Sequence, residues 1–174
     1  NIAIAVTGGD STTDAGKGKI WLTTDGGLTW SDSNSPFDFN SGNTIAVGFG
    51  TDTVIYIGSG LLNADKGYLW QSTDLGSTWN KLNNGPTSLA GTSIQGLPIN
   101  DIAVDPRGTD TLYIAAGYEN EYAFVLSLDE GNSYIYLNNY TGEPFTSIVV
   151  NKDYPDTVYT ASGREIYLYD LANN

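Results

Sequence analysis

The sequence predicts an all-β protein built from repeated antiparallel units of four strands. Three observations carry this prediction: an eight-residue pattern occurs three times, β-rich runs flank every copy, and helical periodicity is absent throughout. The pattern is Ser/Thr-x-Asp-x-Gly-x-Thr/Ser-aromatic, and its copies begin at Thr23, Ser72 and Ser127. Their Asp residues are 49 and 55 positions apart, a spacing that indicates a repeat architecture.

Each copy is predicted to form the turn of a β-hairpin, because a β-rich run lies on either side of it. In such a turn the Asp carboxylate accepts backbone N–H bonds and the Gly supplies a positive φ. The aromatic residue that follows is large enough to fill the gap between neighbouring repeats. The residues predicted to have this structural role are Asp25, Gly27, Thr29, Trp30, Asp74, Gly76, Thr78, Trp79, Asp129, Gly131, Ser133 and Tyr134.

Four strands per repeat at this spacing favour a β-propeller, in which each four-stranded sheet is one blade, over a β-sandwich. The units cover approximately 1–33, 43–82, 98–138 and 145–174. If the strands of a blade are labelled A to D from the inside outwards, the repeated turn joins C to D. The first unit then has no A strand and the last has no D strand. These two units cannot merge into one blade, so we expect a fragment of a larger propeller with about three and a half blades.

The β-rich runs between the turn signals predict the strands. They lie near 1–7, 19–24, 29–33, 43–49, 53–58, 67–72, 78–82, 98–104, 110–116, 122–127, 133–138, 145–151, 156–161 and 165–169.

The repeated pattern resembles the Asp box, also called the bacterial neuraminidase repeat. The first two copies match every fixed position, and Tyr134 replaces Trp in the third. A second recurring segment, at 51–56, 109–113 and 155–159, strengthens the resemblance, and each copy of it precedes a glycine-bearing segment. The resemblance implies a propeller like those of sialidases, sortilin-type receptors, xyloglucan-active hydrolases and the photosystem II assembly factor. In that family the Asp boxes lie away from the active site, so the resemblance implies a fold and no particular activity.

The composition narrows the class of partner. The formal net charge is −13 with seven Lys and Arg, which argues against nucleic acid and against an anionic membrane surface. The chain has no Cys and no His, so thiol chemistry and the commonest general base are excluded. No run approaches the length needed to cross a membrane. The many Asn and Tyr residues are typical of an extracellular or cell-surface β-protein.

Long segments are predicted at the end of the blades opposite the repeated turns, where the B–C loops and D–A connectors lie. These segments are 8–18, 59–66, 117–121, 34–42, 83–97 and 139–144. Long loops on one face of a rigid scaffold usually carry binding. The candidate ligand residues on this face are Asp10, Asp14, Asn63, Asp65, Tyr118, Glu119 and Tyr122. Asp10 with Asp14, or Asn63 with Asp65, offers oxygen ligands for Ca²⁺, but neither loop follows a spaced calcium motif, so we expect no cofactor.

Three functions compete at this point. The leading hypothesis is a non-catalytic, secreted or surface-displayed propeller that binds a protein or glycan. The alternative is a glycoside hydrolase resembling xyloglucan-active enzymes, for which Asp101, Asp10, Asp14 and Glu119 offer carboxylates. A sialidase is disfavoured. The resemblance implies that sialidases use a triad of arginines, and the chain has two Arg residues. The third hypothesis is a scaffold that spaces other domains of the same polypeptide.

Overall fold

The computed structural model describes residues 2–8, 18–33, 35, 42–60, 67–84, 96–137 and 142–172. Within these ranges the chain forms strands and turns and no helix. The strands are β1 (Ala3–Val6), β2 (Ile20–Thr23), β3 (Ser31–Asp32), β4 (Gly42–Phe49), β5 (Thr53–Ser59), β6 (Tyr68–Ser72), β7 (Asn80–Asn84), β8 (Ile99–Val104), β9 (Leu112–Tyr118), β10 (Glu121–Ser127), β11 (Ile135–Tyr136), β12 (Phe145–Val150), β13 (Thr157–Ser162) and β14 (Glu165–Asp170).

Four antiparallel sheets follow one another along the chain, and we call them blades 1 to 4. Blade 1 is β1–β2–β3, blade 2 is β4–β5–β6–β7, blade 3 is β8–β9–β10–β11 and blade 4 is β12–β13–β14. Every strand therefore pairs with its neighbours in sequence, as in the blades of a propeller. The prediction of an all-β partial propeller is confirmed.

The innermost strands are β4, β8 and β12, which lie side by side. They are the A strands of blades 2, 3 and 4. In blade 1 the repeated turn joins β2 to β3, so these are the C and D strands and β1 is the B strand. Among the described residues blade 1 has no A strand and blade 4 has no D strand.

The core lies between the blades and not within them, because each strand sends alternate side chains to opposite faces of its sheet. On β10, Ala123 and Val125 pack into a cluster between blades 2 and 3, whereas Phe124 and Leu126 pack into a cluster between blades 3 and 4. A smaller cluster around Trp70 lies between blades 1 and 2. Both faces of the inner blades are therefore buried.

Asparagine side chains tie neighbouring blades together near the start of the A strands. The Asn100 amide donates to the carbonyl of Gly117 in its own blade, at 3.0 Å, and to that of Phe145 in the next blade, at 2.8 Å. Asn43 makes the equivalent pair of bonds one blade earlier. These bonds hold adjacent A strands at a constant offset.

The segment 117–121 is shorter than expected, and the prediction of a long loop there is wrong. Strand β9 continues to Tyr118 and pairs with Glu121 of β10, which leaves a turn of two residues. Gly117 is a strand residue whose φ is +143°, and an added Cβ would lie 2.4 Å from the Glu121 carbonyl and 3.1 Å from Pro144. The glycine reflects a left-handed φ and the close approach of β10 and of the next blade, and not a loop.

Candidate functional site

The two ends of the blades differ in chemistry, and at the end with the repeated turns each Asp carboxylate is bonded within its own turn. We call residues 23–30, 72–79 and 127–134 the first, second and third Asp turns. In the second, Asp74 Oδ1 accepts from the Ser72 hydroxyl at 2.8 Å and from the Thr78 N–H at 2.8 Å, while Oδ2 accepts from the Thr78 hydroxyl at 2.6 Å. The Gly76 N–H donates to Ser72 Oγ at 2.9 Å.

The first and third Asp turns contain the same bonds. Asp25 accepts from the hydroxyls of Thr23 and Thr29 at 2.7 and 2.6 Å, and from the Thr29 N–H at 3.0 Å. Asp129 accepts the equivalent three bonds from Ser127 and Ser133, at 2.8, 2.6 and 2.8 Å. The carboxylates are therefore occupied within their own turns, which favours the structural interpretation of the pattern.

These hydrogen bonds lower the pKa of each carboxyl. Donation by the Thr78 hydroxyl and N–H, and then by Ser72, brings the pKa of Asp74 down to about 2. The pKa values of Asp25 and Asp129 are lowered in the same way, chiefly by bonds from the residue four positions later. Hydrogen bonds to the charged form keep these groups ionised, so they are poor proton donors at neutral pH.

The glycines of the three Asp turns share a left-handed conformation. Gly27, Gly76 and Gly131 have φ values of +94°, +87° and +90°, in agreement with the prediction. Their surroundings differ, because a Cβ added to Gly131 would lie 2.3 Å from Leu69 of blade 2. The same atom added to Gly27 would meet only Trp30, at 4.0 Å.

The aromatic residues that follow also differ in burial. Trp79 packs into the cluster between blades 1 and 2, and Tyr134 into that between blades 2 and 3, as predicted. Trp30 is 43% exposed, because no described blade precedes blade 1. Trp79 and Tyr134 therefore each pack against the preceding blade.

At the opposite end, which we call the loop end, three predicted ligand residues are described. Tyr118 ends β9, and Glu119 lies in the two-residue turn that follows, where it is exposed with a φ of +53°. The Tyr118 hydroxyl bonds Glu119, which raises the pKa of the tyrosine. Tyr122, in contrast, is only 7% exposed and packs edge-on against Phe145. The prediction of Tyr122 as a ligand residue is wrong, because it shares a buried face of β10 with Phe124.

Contacts between blades 3 and 4 and within blade 4 bring three segments of the loop end together: 117–121, 142–144 and 163–165. Pro144 approaches Gly117, and the Glu143 side chain lies over Gly163, 2.9 Å from where a Cβ would stand. These segments contain four of the five glutamates in the sequence, Glu119, Glu121, Glu143 and Glu165. Arg164 is the one basic residue in them. The described part of the loop end is therefore acidic.

Asp101, a candidate acid of the hydrolase alternative, lies at a β-bulge of the A strand of blade 3. Its carboxylate accepts from the Thr44 hydroxyl of blade 2 at 3.1 Å and from the Ile148 N–H of blade 4 at 2.8 Å. It also accepts from the Ile102 N–H at 2.9 Å. These bonds join three A strands, so the geometry favours a structural role for Asp101.

The remaining candidates, Asp10, Asp14, Asn63 and Asp65, lie outside the described residues. In the part of the chain that the structure describes, no group of three or more acidic, His or Cys side chains is arranged to hold a metal ion. Nor does that part contain a helix with the length and apolar character required to span a bilayer.

Salt bridges of Arg107 link blades 3 and 4, and the sequence analysis did not predict them. Arg107 donates to Asp105 at 2.7 Å within blade 3 and to Asp156 of blade 4 at 2.9 Å. Burial raises the pKa of Asp105, but the hydrogen bonds and charge of Arg107 outweigh it, so the pKa is lowered overall. Asp156 belongs to the second recurring segment, and an alignment of the repeats would have drawn attention to this position.

Comparison with known proteins identifies the fold. No family model and no curated protein matches the chain. Among solved structures, the GH74 xyloglucanase from Xanthomonas campestris has a TM-score of 0.69 at 16% identity, over 94% of this chain and 25% of that one. The GH74 enzyme from Niastella koreensis has a TM-score of 0.61 at 15% identity, over 95% and 29%. YCF48 bound to D1 peptide has a TM-score of 0.53 at 14% identity, over 98% and 59%.

These structures are propeller proteins, and at such low identities the likeness shows the fold alone. The chain spans between 25% and 59% of their lengths.

Proposed function

We propose that this chain belongs to a non-catalytic propeller module, secreted or displayed at a cell surface, whose loop end binds a protein partner through a positively charged segment. The observation that carries the proposal is the contrast between the two ends of the blades. The carboxylates of the Asp turns are occupied by hydrogen bonds within the fold, whereas glutamates of the loop end project from hairpin tips and connectors. Exposed charge on rigid hairpins attracts and orients a partner of opposite charge.

The nature of the partner follows from the side chains at this end. Glu119 and Glu143 are exposed, and Tyr118 adds a partly buried aromatic ring beside Glu119. Tyrosine with acidic neighbours suits a peptide that carries Lys or Arg, since the ring contacts the stem and the carboxylate the charge. Binding of a peptide is known for a protein of this fold, because YCF48 was solved with D1 peptide. A glycan stacked on Tyr118 is the alternative partner.

Hydrolysis is not part of the proposal, because the Asp101 carboxylate accepts hydrogen bonds that join three blades. A retaining or inverting glycosidase requires two carboxyl groups on either side of the scissile bond. If the purified chain released reducing sugar from xyloglucan, and Glu119→Gln abolished that release, the hydrolase alternative would replace the binding proposal.

The test of binding uses a labelled octapeptide of alternating Lys and Ser, titrated with the protein and followed by fluorescence anisotropy. We expect Glu119→Gln combined with Glu143→Gln to weaken binding about five-fold, since each exposed ion pair contributes roughly 0.5 kcal/mol. The matched control, Asp52→Asn with Asp153→Asn, removes the same charge from exposed positions at the Asp-turn end.

The control variant should bind with nearly wild-type affinity. Equal weakening by the two double variants would show that only net charge matters, and would contradict a site at the loop end. Tight binding of a neutral oligosaccharide that is lost in Tyr118→Ala would instead favour the glycan.

A further inference from the structure

The interfaces on the two sides of blade 3 differ at the Asp-turn end. Between blades 2 and 3, the Tyr56 hydroxyl donates to the Thr109 carbonyl at 2.8 Å. The Gln71 amide donates to that hydroxyl at 3.4 Å and to Glu130 of blade 3 at 2.7 Å. A chain of three polar side chains thus fills this interface.

The register of the strands identifies the equivalent positions one blade later. Tyr56 of β5 pairs with Gln71 of β6, and Tyr113 of β9 pairs with Leu126 of β10. Tyr113 therefore corresponds to Tyr56, and an apolar leucine stands where the donor amide stood. The tyrosine is the same in both blades, but the glutamine that donates to its hydroxyl in blade 2 is a leucine in blade 3.

The third member of the chain is also replaced. The Glu130 N–H donates to the Asp110 carbonyl of its own blade at 2.8 Å, and the Leu171 N–H donates in the same way to Asp156 at 2.9 Å. Leu171 of blade 4 therefore corresponds to Glu130 of blade 3. The other two side chains of the polar chain, Gln71 and Glu130, therefore both correspond to leucines at the interface between blades 3 and 4.

The replacements leave a cavity of about 260 Å³. Leu126, Leu128 and Leu171 form an apolar wall, and Tyr113 lies beside them. The Tyr113 side chain is fully buried, and its hydroxyl lies beside the Asp105–Arg107 pair without a hydrogen bond of normal geometry, although buried hydroxyls are normally bonded. Burial raises the pKa of Tyr113 to about 12, so the hydroxyl is protonated and neutral at physiological pH.

The polar rim of the cavity carries an excess of negative charge. Arg107 pairs with Asp105 and with Asp156, and these bonds occupy its guanidinium. Asp110, which also lines the cavity, is exposed and forms no ion pair within 4.0 Å among the described residues. The rim therefore favours a cationic group over an anionic one.

We propose that this cavity binds a short alkylammonium group. The three leucines contact the methylene stem, and the ammonium donates to Tyr113 Oη as the Gln71 amide does to Tyr56, while the Asp110 carboxylate supplies the countercharge. A cavity of this size is smaller than a typical drug site and suits one side chain or a small amine. The site lies at the opposite end of the blades from the proposed partner surface and does not depend on it.

The experiment titrates the chain with n-butylammonium chloride and follows the backbone amides of Asp110, Leu126, Leu128 and Leu171 by NMR. For so few ligand atoms we expect saturable shifts with a dissociation constant of about 1–10 mM. The neutral isostere n-butanol should bind at least five-fold more weakly. Equal binding of the alcohol, or no saturable shift, would overturn the proposal.

Two variants locate the site. Leu126→Gln restores the residue type of blade 2 and should weaken binding at least ten-fold, because the new amide occupies the cavity and bonds Tyr113. Asp110 is exposed, so Asp110→Asn should leave folding unaffected. It should weaken binding about five-fold. Asp52→Asn, the matched change in the corresponding turn of blade 2, should leave the affinity unchanged. Equal effects of Asp110→Asn and Asp52→Asn would refute the site.

A third probe distinguishes two sources of the alkylammonium group, a lysine side chain and a free amine. If N-acetyl-lysine methylamide binds at least as tightly as n-butylammonium, the cavity accepts a lysine side chain of a partner. If only the free amine binds, the cavity is a small-molecule site. Both results support recognition of an alkylammonium group.

Discussion

The first and third Asp turns have the same hydrogen bonds in different surroundings. In both, a hydroxyl and an N–H donate to one Asp oxygen and a second hydroxyl donates to the other, with distances that agree within about 0.2 Å. Yet Trp30 is 43% exposed, whereas Tyr134 packs into the cluster between blades 2 and 3. The turn is therefore a local structure, and its aromatic residue is an inter-blade contact that requires a preceding blade.

This difference separates two contributions of one motif to stability. The hydrogen bonds connect residues at most four positions apart, so they form with little loop-closure cost. Burial of the aromatic ring and of the glycine depends on Leu69 and its neighbours, more than 50 positions away from the third turn. Paired substitutions in the two turns can measure each contribution.

The largest difference is expected for the aromatic pair. Tyr134→Ala should lower the free energy of unfolding by roughly 2–3 kcal/mol, since it removes a partly buried ring that packs between two blades. Trp30→Ala should lower it by about 1 kcal/mol, since much of that ring already faces solvent. Urea denaturation measures both.

Tyr134→Phe is the control for this pair. The Tyr134 hydroxyl is buried without a hydrogen-bond partner, so its removal should leave the free energy of unfolding unchanged or raise it by about 1 kcal/mol. Equal losses for Tyr134→Ala and Trp30→Ala would contradict the assignment of these rings to different environments.

The glycine pair should show a similar or smaller difference. Gly131→Ala combines a left-handed φ with a Cβ 2.3 Å from Leu69 Cδ2, and should cost roughly 2–3 kcal/mol in the free energy of unfolding. Gly27→Ala has the same φ but open space, and should cost about 1 kcal/mol. The comparison uses urea denaturation, and a cost for Gly27→Ala as large as for Gly131→Ala would show that backbone strain, and not packing, dominates both.

The acid dependence of stability should show the smallest difference between the turns. The folded-state pKa of each turn carboxyl is below the ordinary value of 3.8, so each stabilises the fold above about pH 4 and loses this effect as the pH falls towards about 2. Asp25→Asn and Asp129→Asn should each flatten the fall in melting temperature over that window, and to the same extent. A flattening by only one of them would mean that the burial of the neighbouring aromatic residue alters the carboxyl as well.

Prediction of the loop end from the sequence was less successful than prediction of the strands. Every strand in the structure lies at a predicted run, since the alternation of side chains and the turn residues are local signals. Tyr122 was predicted wrongly because the alternation of side chains along β10 does not show which face of the sheet is covered by a further blade. The Asn43 and Asn100 bonds were also missed, although Asn recurs at the same place in β4 and β8.

The structure of this protein therefore depends on local sequence patterns and on contacts between blades. The sequence pattern alone predicts the strands, the repeated turns, the left-handed glycines and the bonding of the turn carboxylates, because all of these depend on residues a few positions apart. The exposure of Trp30, the burial of Tyr122 and the leucines around Tyr113 depend on which blade packs against which face. Such contacts join residues tens of positions apart, and their energies depend on volume and shape that no local pattern contains.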